Sequence, residues 1–159
     1  MKWMIIGGTK NLGKYIFDNV DGYNYSRSNG YDITKEDTIK TLGVESLEYD
    51  VVFLNSFDGP PDDTNSTNGQ LRTLLEIHKN WKDNNKEGYI FVMGSIAANY
   101  MTTLDPSFET YRISKAGLSY ASKMCSMDFR NNLCKHRTTL IEPDRLDTEK
   151  SRNRKSWTG

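Results

Sequence analysis

Short apolar runs alternate with helix-forming stretches along most of the sequence, and this alternation limits the possible folds more than any other feature. Runs of branched and aromatic residues with little polar alternation are typical of strands buried on both faces. Strands that alternate with helices form a parallel sheet, because each parallel connection must cross over the sheet and a helix usually makes that crossing. The sequence therefore predicts an α/β fold, a doubly wound parallel sheet between two layers of helices with right-handed crossovers. The predicted strands are WMII, YNYS, YDVVFLNS, GYIFVMGS and RTTLIEP.

Four helices are predicted from apolar residues three and four positions apart and from the signals at the helix ends. The first, NLGKYIFDNV, has Leu12, Ile16 and Val20 on one face. The second begins at Thr34, with acidic residues in its first turn, and ends at Gly43. The fourth is the amphipathic run YRISKAGLSYASKMCSMDFRNN. The third, GQLRTLLEIHKNWKDNN, has its apolar stripe on Leu71, Leu74, Leu75, His78 and Trp81.

The composition is that of one small, polar globular domain. We expect this domain to span residues 1–149, followed by a basic polar tail at 150–159. The 21 Lys and Arg residues balance the 21 Asp and Glu residues, so no net field favours nucleic acid or an acidic membrane surface as a partner. No apolar run reaches the roughly 20 residues of a membrane span, and the N-terminal apolar segment is too short for a signal peptide. The protein is therefore predicted to be cytoplasmic, without a membrane or nucleic-acid partner.

The cysteines and histidines form no recognisable disulfide or metal motif. Cys125 and Cys134 have no CxxC spacing and are expected to be free, reduced thiols. His78 and His136 lie far apart in the sequence without ligand-type neighbours, so we predict no metal site.

The segment MIIGGTKNLGKYI predicts a strand, a glycine turn and a helix in immediate succession. Such an arrangement can bind a phosphate, since backbone N–H groups and the helix dipole point at the same place. Gly7 and Gly13 have the spacing of a six-residue glycine turn, with Asn11 at its middle position. Asn tolerates the left-handed backbone better than most residues, so the turn can still form. The alternative is a plain strand-to-helix connection.

The residues after the second predicted strand carry a cation between two hydroxyls: Ser26, Arg27 and Ser28. In dinucleotide-binding folds the adenosine ribose lies at this place, and an acidic residue there binds a free 2′-hydroxyl. A guanidinium beside hydroxyls instead suits a 2′-phosphate, which indicates NADP(H) rather than NAD(H). The alternative is a solvated Arg in a turn.

Three further residues have the chemistry of an acid–base site. Ser95 follows a buried strand, at the end of the sheet where open α/β folds bind ligands. Tyr111 and Lys115 are four positions apart, on one face of the predicted fourth helix. A phenol needs its anion stabilised to act as an acid or base near neutral pH, and an adjacent ammonium does this. Taken separately, each residue could equally be an ordinary surface residue.

These features occur in an order that resembles the short-chain dehydrogenase/reductase family, from Lys2 to about Thr148. The family's glycine motif TGxxxGxG appears as IGGTKNLG, and its Asn-Asn-Ala-Gly turn as Asn55-Ser56-Phe57. Its serine strand appears as IFVMGS, its catalytic helix as YRISKAGL, and its Pro-Gly turn before a cofactor-binding Thr as EPDRLDT. The resemblance implies a Rossmann-like fold and hydride transfer between a nicotinamide dinucleotide and a small carbonyl or alcohol substrate.

The resemblance also implies a role for each matching residue. Tyr111 is the general acid/base, Ser95 positions and polarises the carbonyl, and Lys115 stabilises the phenolate and bonds the nicotinamide ribose. A residue at the start of the third predicted helix holds a proton-relay water; Asn65 is the candidate and Asn68 the alternative. The residues expected to bind the cofactor are Gly7, Thr9, Lys10, Asn11, Leu12, Gly13, Ser26, Arg27, Ser28, Asp32, Ile33, Asn55, Ser56, Tyr111, Lys115, Pro143 and Thr148.

The sequence departs from the family pattern in several places. Ile6 and Asn11 replace the Thr and the middle Gly of the glycine motif. Only NGY separates SRS from DIT, so the helix between the second and third family strands is missing and that third strand is a stub or absent. Ser95 and Tyr111 are 16 positions apart, slightly more than is usual in the family. The basic segment after LDT has no apolar strand, so we expect neither the family's substrate-covering lid nor its last strand.

Three functions are consistent with these observations. The first is an NADP(H)-dependent oxidoreductase that interconverts a carbonyl and an alcohol. The second is a dinucleotide-binding regulatory or interaction module without turnover, an interpretation that the expected absence of a lid favours. The third is an epimerase or dehydratase on the same scaffold. The resemblance also implies a homodimer or homotetramer through the third and fourth helices, the pair that this family commonly packs across a dimer axis. The fourth helix carries more apolar residues than one core stripe needs, which favours such an assembly: Tyr120, Met124, Met127 and Phe129.

Overall fold

Five parallel strands form one sheet in the order β2-β1-β3-β4-β5. The structure is a computed structural model, and it describes residues 1–55, 68–95 and 109–143. The strands are β1 (Trp3–Ile6), β2 (Gly22–Tyr25), β3 (Val51–Leu54), β4 (Gly88–Met93) and β5 (His136–Ile141). The helices are α1 (Asn11–Asn19), α2 (Glu36–Glu45), α3 (Gly69–Asp83) and α4 (Glu109–Arg130). The predicted doubly wound, Rossmann-like α/β fold is confirmed.

Alternate side chains of the strands enter two separate cores, because successive strand residues point to opposite faces of the sheet. Met4 and Ile6 face α2, α3 and α4 in the larger core, where both side chains are fully buried. Ile5 and Phe53 face α1 on the other side, together with Leu12 and other apolar residues of that helix. Among the described residues, α1 is the one helix on this second face. The helices thus form two layers around the sheet, which confirms the predicted three-layer arrangement.

The segment between β2 and α2 contains a single 3₁₀ turn, Arg27–Asn29, and no strand. The prediction that the third family strand is a stub or absent is therefore confirmed. Gly30 ends the turn with φ of 99°, a left-handed conformation that glycine adopts without steric cost.

Both predicted ends of α2 are wrong: its N-cap is Lys35 and not Thr34, and its last residue is Glu45, two residues beyond Gly43. Thr34 does not cap the helix: its backbone N–H and hydroxyl both donate to the Asp32 carboxylate, at 3.0 and 2.8 Å, and α2 begins at Glu36. These hydrogen bonds hold the pKa of Asp32 below its usual value. Gly43 does not end the helix either. It is buried where a side chain would meet Glu76 and Asn80 of α3, so here glycine permits two helices to pack closely.

The apolar face of α3 also differs from the predicted stripe. Leu74, Ile77 and Trp81 are fully buried, whereas Leu75 is 44% exposed. A helix of 3.6 residues per turn places positions 74, 77, 78 and 81 on one side, and position 75 about a quarter-turn away. The prediction therefore missed Ile77 and wrongly included Leu75.

The sheet brings His78 and His136 together, which the sequence argument did not anticipate. His78 Nδ1 lies 2.7 Å from His136 Nε2, and the Cys134 thiol is nearby. The premise that these histidines have no ligand-type neighbours is wrong. His78 and His136 are 58 positions apart in the sequence, but α3 and β5 bring them together in space. Burial lowers the pKa of His136 to about 4, so its ring is neutral near pH 7.

Cys125 and Cys134 are free thiols, as predicted. No helix in the described part of the chain has the length and apolar character that crossing a membrane requires.

Candidate functional site

The site expected from the sequence lies at the carboxyl ends of β1, β3 and β4. The strand order reverses between β1 and β3: β2 lies on one side of β1, and β3 and the later strands lie on the other. A crevice forms at such a switch point, and open α/β sheets bind their ligands there. Gly7 follows β1, Asn55 follows β3 and Ser95 follows β4.

The turn between β1 and α1 has the close approach that a glycine motif requires. A Cβ on Gly13 would lie 2.0 Å from the backbone oxygen of Gly7, so only glycine fits at this position without movement of the backbone. Gly7 has φ of 92° and Asn11 has φ of 51°, both in the left-handed region. Asn11 thus takes the conformation that the sequence argument required of it.

Two asparagines from neighbouring strands hold this turn in place. Asn55 Nδ2 donates to the backbone oxygen of Gly7 at 3.1 Å. Asn24, near the end of β2, accepts from the Gly8 N–H at 2.8 Å and from the Ser26 hydroxyl at 2.6 Å. Sequence reasoning missed Asn24. The signal that could have indicated it is a polar residue within a predicted strand, two residues before Ser26. The glycine turn is therefore fixed by side chains as well as by its own backbone.

The hydroxyl and cationic residues after β2 lie beside the glycine turn. Ser28 Oγ is 3.2 Å from Thr9 Oγ1, so a hydrogen bond joins the segment after β2 to the glycine turn. The Arg27 side chain is 62% exposed, with its Nε 3.7 Å from an Asp32 carboxylate oxygen. Ser26 is buried and donates inward to Asn24, so its hydroxyl is committed to the fold. Thr9, Arg27 and Ser28 are thus the side chains that face outward at this place.

The remaining residues predicted to bind the cofactor have varied surroundings. Ile33 is buried in the larger core, and Leu12 packs in the core under α1. Lys10 is exposed immediately before α1 and makes no side-chain capping bond. Pro143 is half-buried just beyond β5. Ser56, Asn65 and Thr148 lie outside the described residues. Asn68 is exposed immediately before α3.

Lys115 is buried at the carboxyl end of the sheet, with 5% of its surface exposed. Its Nζ donates to Gln70 Oε1 at 2.8 Å and to the backbone oxygen of Met93 at 3.2 Å. The same Nζ lies 5.7 Å from the centre of the Tyr111 ring, so the ammonium and the phenol are neighbours on α4. A buried ammonium is costly unless hydrogen-bond acceptors surround it, and its position is correspondingly restricted. The structure therefore brings Tyr111 and Lys115 together beside the end of β4.

Gln70 is the residue of this site that sequence reasoning missed. It is 2% exposed, and its Nε2 donates to the backbone oxygens of Met93 at 3.0 Å and Leu54 at 3.3 Å. One side chain thus joins the ends of β3 and β4, while its oxygen accepts from Lys115. The sequence signal is weak, because Gln is a common helix residue and its burial depends on how α3 enters the sheet.

Solved structures of short-chain dehydrogenases have the same arrangement of strands and helices. One from Burkholderia cenocepacia, in complex with NADP, superposes with a TM-score of 0.73 at 20% identity, over 96% of this chain and 75% of that one. One from Burkholderia phymatum, in complex with NAD, has a TM-score of 0.70 at 14% identity, over 99% of this chain and 73% of that one. The chain has the short-chain dehydrogenase/reductase fold.

A third structure, a small-chain dehydrogenase in complex with NADPH, has a TM-score of 0.72 at 13% identity. The match spans 98% of this chain and 75% of that one. No protein-family model and no curated protein matches the sequence. Because each of these three identities is 20% or lower, the likeness establishes the fold.

The buried Gln70–Lys115 contact generates a stability prediction. Gln70→Leu removes the amide oxygen that accepts from a buried ammonium, so we expect the free energy of unfolding to fall by about 2–4 kcal/mol. Lys115→Met removes the charge itself. The free energy of unfolding of the double variant should therefore fall by less than the sum of the two single effects, with a difference of at least about 1 kcal/mol. Urea unfolding of the four proteins measures this difference.

The matched control is Thr73→Val. Thr73 is also a buried polar residue of α3, but its hydroxyl donates within the helix, to the backbone oxygen of Gly69. Its loss should add to that of Lys115→Met without coupling. Additive losses for Gln70→Leu and Lys115→Met would show that the two side chains do not act together.

Proposed function

We propose that this chain is a shortened short-chain dehydrogenase/reductase, an NADP(H)-dependent oxidoreductase that interconverts a carbonyl and an alcohol. The observation that carries the proposal is the buried ammonium of Lys115 beside the Tyr111 phenol, at the end of the sheet where the glycine turn also lies. Proton transfer to a substrate oxygen requires a phenol whose anion can be stabilised, and an ammonium beside it can supply that stabilisation.

The chemistry is divided among three side chains of this chain. Ser95 donates to the substrate oxygen and holds it at the end of β4. Tyr111 gives its phenolic proton to that oxygen during reduction and takes it back during oxidation. Lys115, held by Gln70, stabilises the phenolate that results. The nicotinamide, when bound, supplies or accepts the hydride.

The described residues fit a dinucleotide. Gly13 leaves no room for a side chain against Gly7, so the start of α1 approaches the strand end closely and its unpaired N–H groups remain open to a pyrophosphate. Gly7, Asn11 and Gly13 form this phosphate turn, and Asn55 and Asn24 hold it. Lys115 would reach the nicotinamide ribose.

The preference for NADP(H) rests on the exposed Arg27 side chain after β2 and on the Ser28 and Thr9 hydroxyls, which lie 3.2 Å from each other. A 2′-phosphate needs a cation and hydrogen-bond donors at the end of β2. Among the similar structures, two contain NADP or NADPH and two contain NAD or NADH, so the fold permits either cofactor.

Substitution of Arg27 tests the cofactor preference. NADPH should raise the melting temperature of the wild type more than NADH does, because a ligand bound by the folded state alone stabilises it in proportion to the logarithm of its affinity. Arg27→Ala should remove the difference by weakening NADPH alone. Arg130→Ala, an exposed cation at the far end of α4, is the control and should keep the difference. An equal response of the wild type to both nucleotides would contradict the preference.

Substitution of Tyr111 tests the acid–base assignment. Tyr111→Phe should lower kcat for any accepted carbonyl by about 10²–10⁴-fold while NADPH affinity stays nearly unchanged. Tyr120→Phe is the control, because Tyr120 lies on the same helix with 69% of its surface exposed. Turnover of Tyr111→Phe at the wild-type rate would show that the phenol is not the acid. NADPH binding by a wild type that reduces no carbonyl in a broad panel would favour the non-catalytic binding module.

We also propose a homodimer formed through α3 and α4. Four apolar residues make one exposed stripe along α4, with Ile113 73%, Tyr120 69%, Met124 54% and Met127 47% exposed. Leu75 of α3 is exposed as well, at 44%. The four residues of α4 recur at helical spacing on the face opposite the buried Leu118 and Cys125. Phe129, also expected on this surface, is half-buried beneath the Arg137 guanidinium, whose carbon lies 4.7 Å from the ring centre.

Light scattering at micromolar concentration tests the dimer. The wild type should have twice the mass of one chain, and Met124→Lys should have the mass of one chain, since a charge in the centre of an apolar interface is costly. Lys123→Ala, one position along the same helix, should remain dimeric. A monomeric wild type would refute the proposal.

A further inference from the structure

Three residues with metal-binding side chains meet at the amino end of the sheet, opposite the candidate active site. His78 lies on α3, Cys134 lies in the turn between α4 and β5, and His136 is the first residue of β5. Their ligating atoms all lie within 4.8 Å of one another, with His78 Nδ1 and His136 Nε2 2.7 Å apart. His136 is completely buried, and His78 and Cys134 are each 8% exposed.

A carboxylate fixes the orientation of His78. Asp128 of α4 lies 2.8 Å from His78 Nε2, and a carboxylate accepts, so this nitrogen carries a proton. The neutral ring then has its lone pair on Nδ1, the atom that faces His136. A histidine held in this way by a carboxylate is the usual arrangement around a protein-bound metal, where the carboxylate sets the tautomer and makes the ligand more basic. Lys82 Nζ also donates to the same Asp128 oxygen, at 3.2 Å, which restrains the carboxylate.

We propose that His78 Nδ1, His136 Nε2 and Cys134 Sγ form a binding site for a zinc-like divalent cation. Two imidazole nitrogens and one thiolate sulfur are ligands that Zn²⁺ takes and that Mg²⁺ and Ca²⁺, which prefer oxygen, do not. Binding replaces the hydrogen bond between the two histidines with two metal–nitrogen bonds, and the proton that His136 Nε2 donates in that hydrogen bond moves to His136 Nδ1, so the ring stays neutral. It also forms a metal–sulfur bond and releases the thiol proton to solvent. A water completes the fourth position.

The site requires an adjustment of the two rings and of the Cys134 side chain, because a nitrogen and a sulfur on one tetrahedral zinc lie roughly 3.6 Å apart and the three ligating atoms lie within 4.8 Å of one another. Tetrahedral zinc with nitrogen ligands at about 2.0–2.1 Å places those nitrogens roughly 3.3 Å apart, about 0.6 Å more than the distance between the two histidine nitrogens. Rotation of the His78 and His136 side chains can supply this increase in the nitrogen–nitrogen distance, so the backbones of the helix and the strand need not move.

The ion would join three elements that are distant in sequence: α3, β5 and the turn before β5. Lys115 and Tyr111 belong to the opposite end of the sheet, so the ion contributes stability and not chemistry at the proposed active site. The inference is independent of the proposed function, since no nucleotide or turnover is needed to test it.

Cobalt(II) and zinc(II) binding to the full, chelator-treated chain tests the site. Cobalt(II) bound by a thiolate has an intense sulfur-to-metal charge-transfer absorption, and tetrahedral coordination intensifies its visible bands. The wild type should show both at one equivalent of cobalt, and one equivalent of zinc should abolish them. Zinc should also raise the melting temperature of the wild type.

The two free cysteines provide a matched pair of variants. Cys134→Ser should lose the charge-transfer absorption and the thermal shift with zinc, whereas Cys125→Ser, which changes the other buried thiol, should retain both. The absence of the absorption and of stoichiometric zinc binding in the wild type would overturn the proposal and leave a hydrogen-bonded histidine pair. Retention of the absorption in Cys134→Ser would overturn it equally.

Discussion

The close approach of α1 to the end of β1 is the constraint on which the candidate site depends. Gly13 lies so near the Gly7 carbonyl that no side chain fits between them. This contact places the first turn of α1, with its unpaired N–H groups, directly over the switch point of the sheet. Asn24 and Asn55 fix the turn from β2 and β3, so the strands on both sides of β1 contribute to it.

The other half of the site depends on a buried charge. Lys115 exposes only 5% of its surface, and an ammonium so placed requires acceptors that cannot move away. Gln70 and the Met93 carbonyl are such acceptors, because Gln70 is itself bonded to the ends of β3 and β4. The position of the ammonium is thus fixed relative to the strands, and Tyr111, one helical turn earlier, is positioned with it.

Much of the fold could be predicted from the sequence because β1, β3 and β4 contain short apolar runs, which are typical of a parallel sheet, and helix-forming stretches separate them. The errors in α2 have two different causes. Gly43 is a common stop signal for a helix, yet here it is the point where α2 packs on α3, a tertiary contact. Thr34 is a favoured cap, but its N–H and hydroxyl donate to the Asp32 carboxylate two residues earlier, a local hydrogen-bond pattern that competes with capping.

The same distinction applies to the candidate site. Tyr111 and Lys115 were predictable because a helix brings positions four apart together. Gln70 and the pair of histidines were not, because the groups they contact are distant in sequence: Lys115 is 45 residues from Gln70, and His136 is 58 residues from His78. No periodicity within one element reports such contacts.

Equilibrium binding of NADPH to the wild type and to Gly13→Val, measured by titration calorimetry, tests the phosphate turn directly. One NADPH should bind per wild-type chain, and Gly13→Val should show no measurable binding, because a side chain at position 13 must displace the Gly7 carbonyl and open the phosphate turn. Circular dichroism would verify that the variant is folded. A folded Gly13→Val that binds NADPH as tightly as the wild type, or a wild type that binds none, would contradict the assignment of this turn to a dinucleotide.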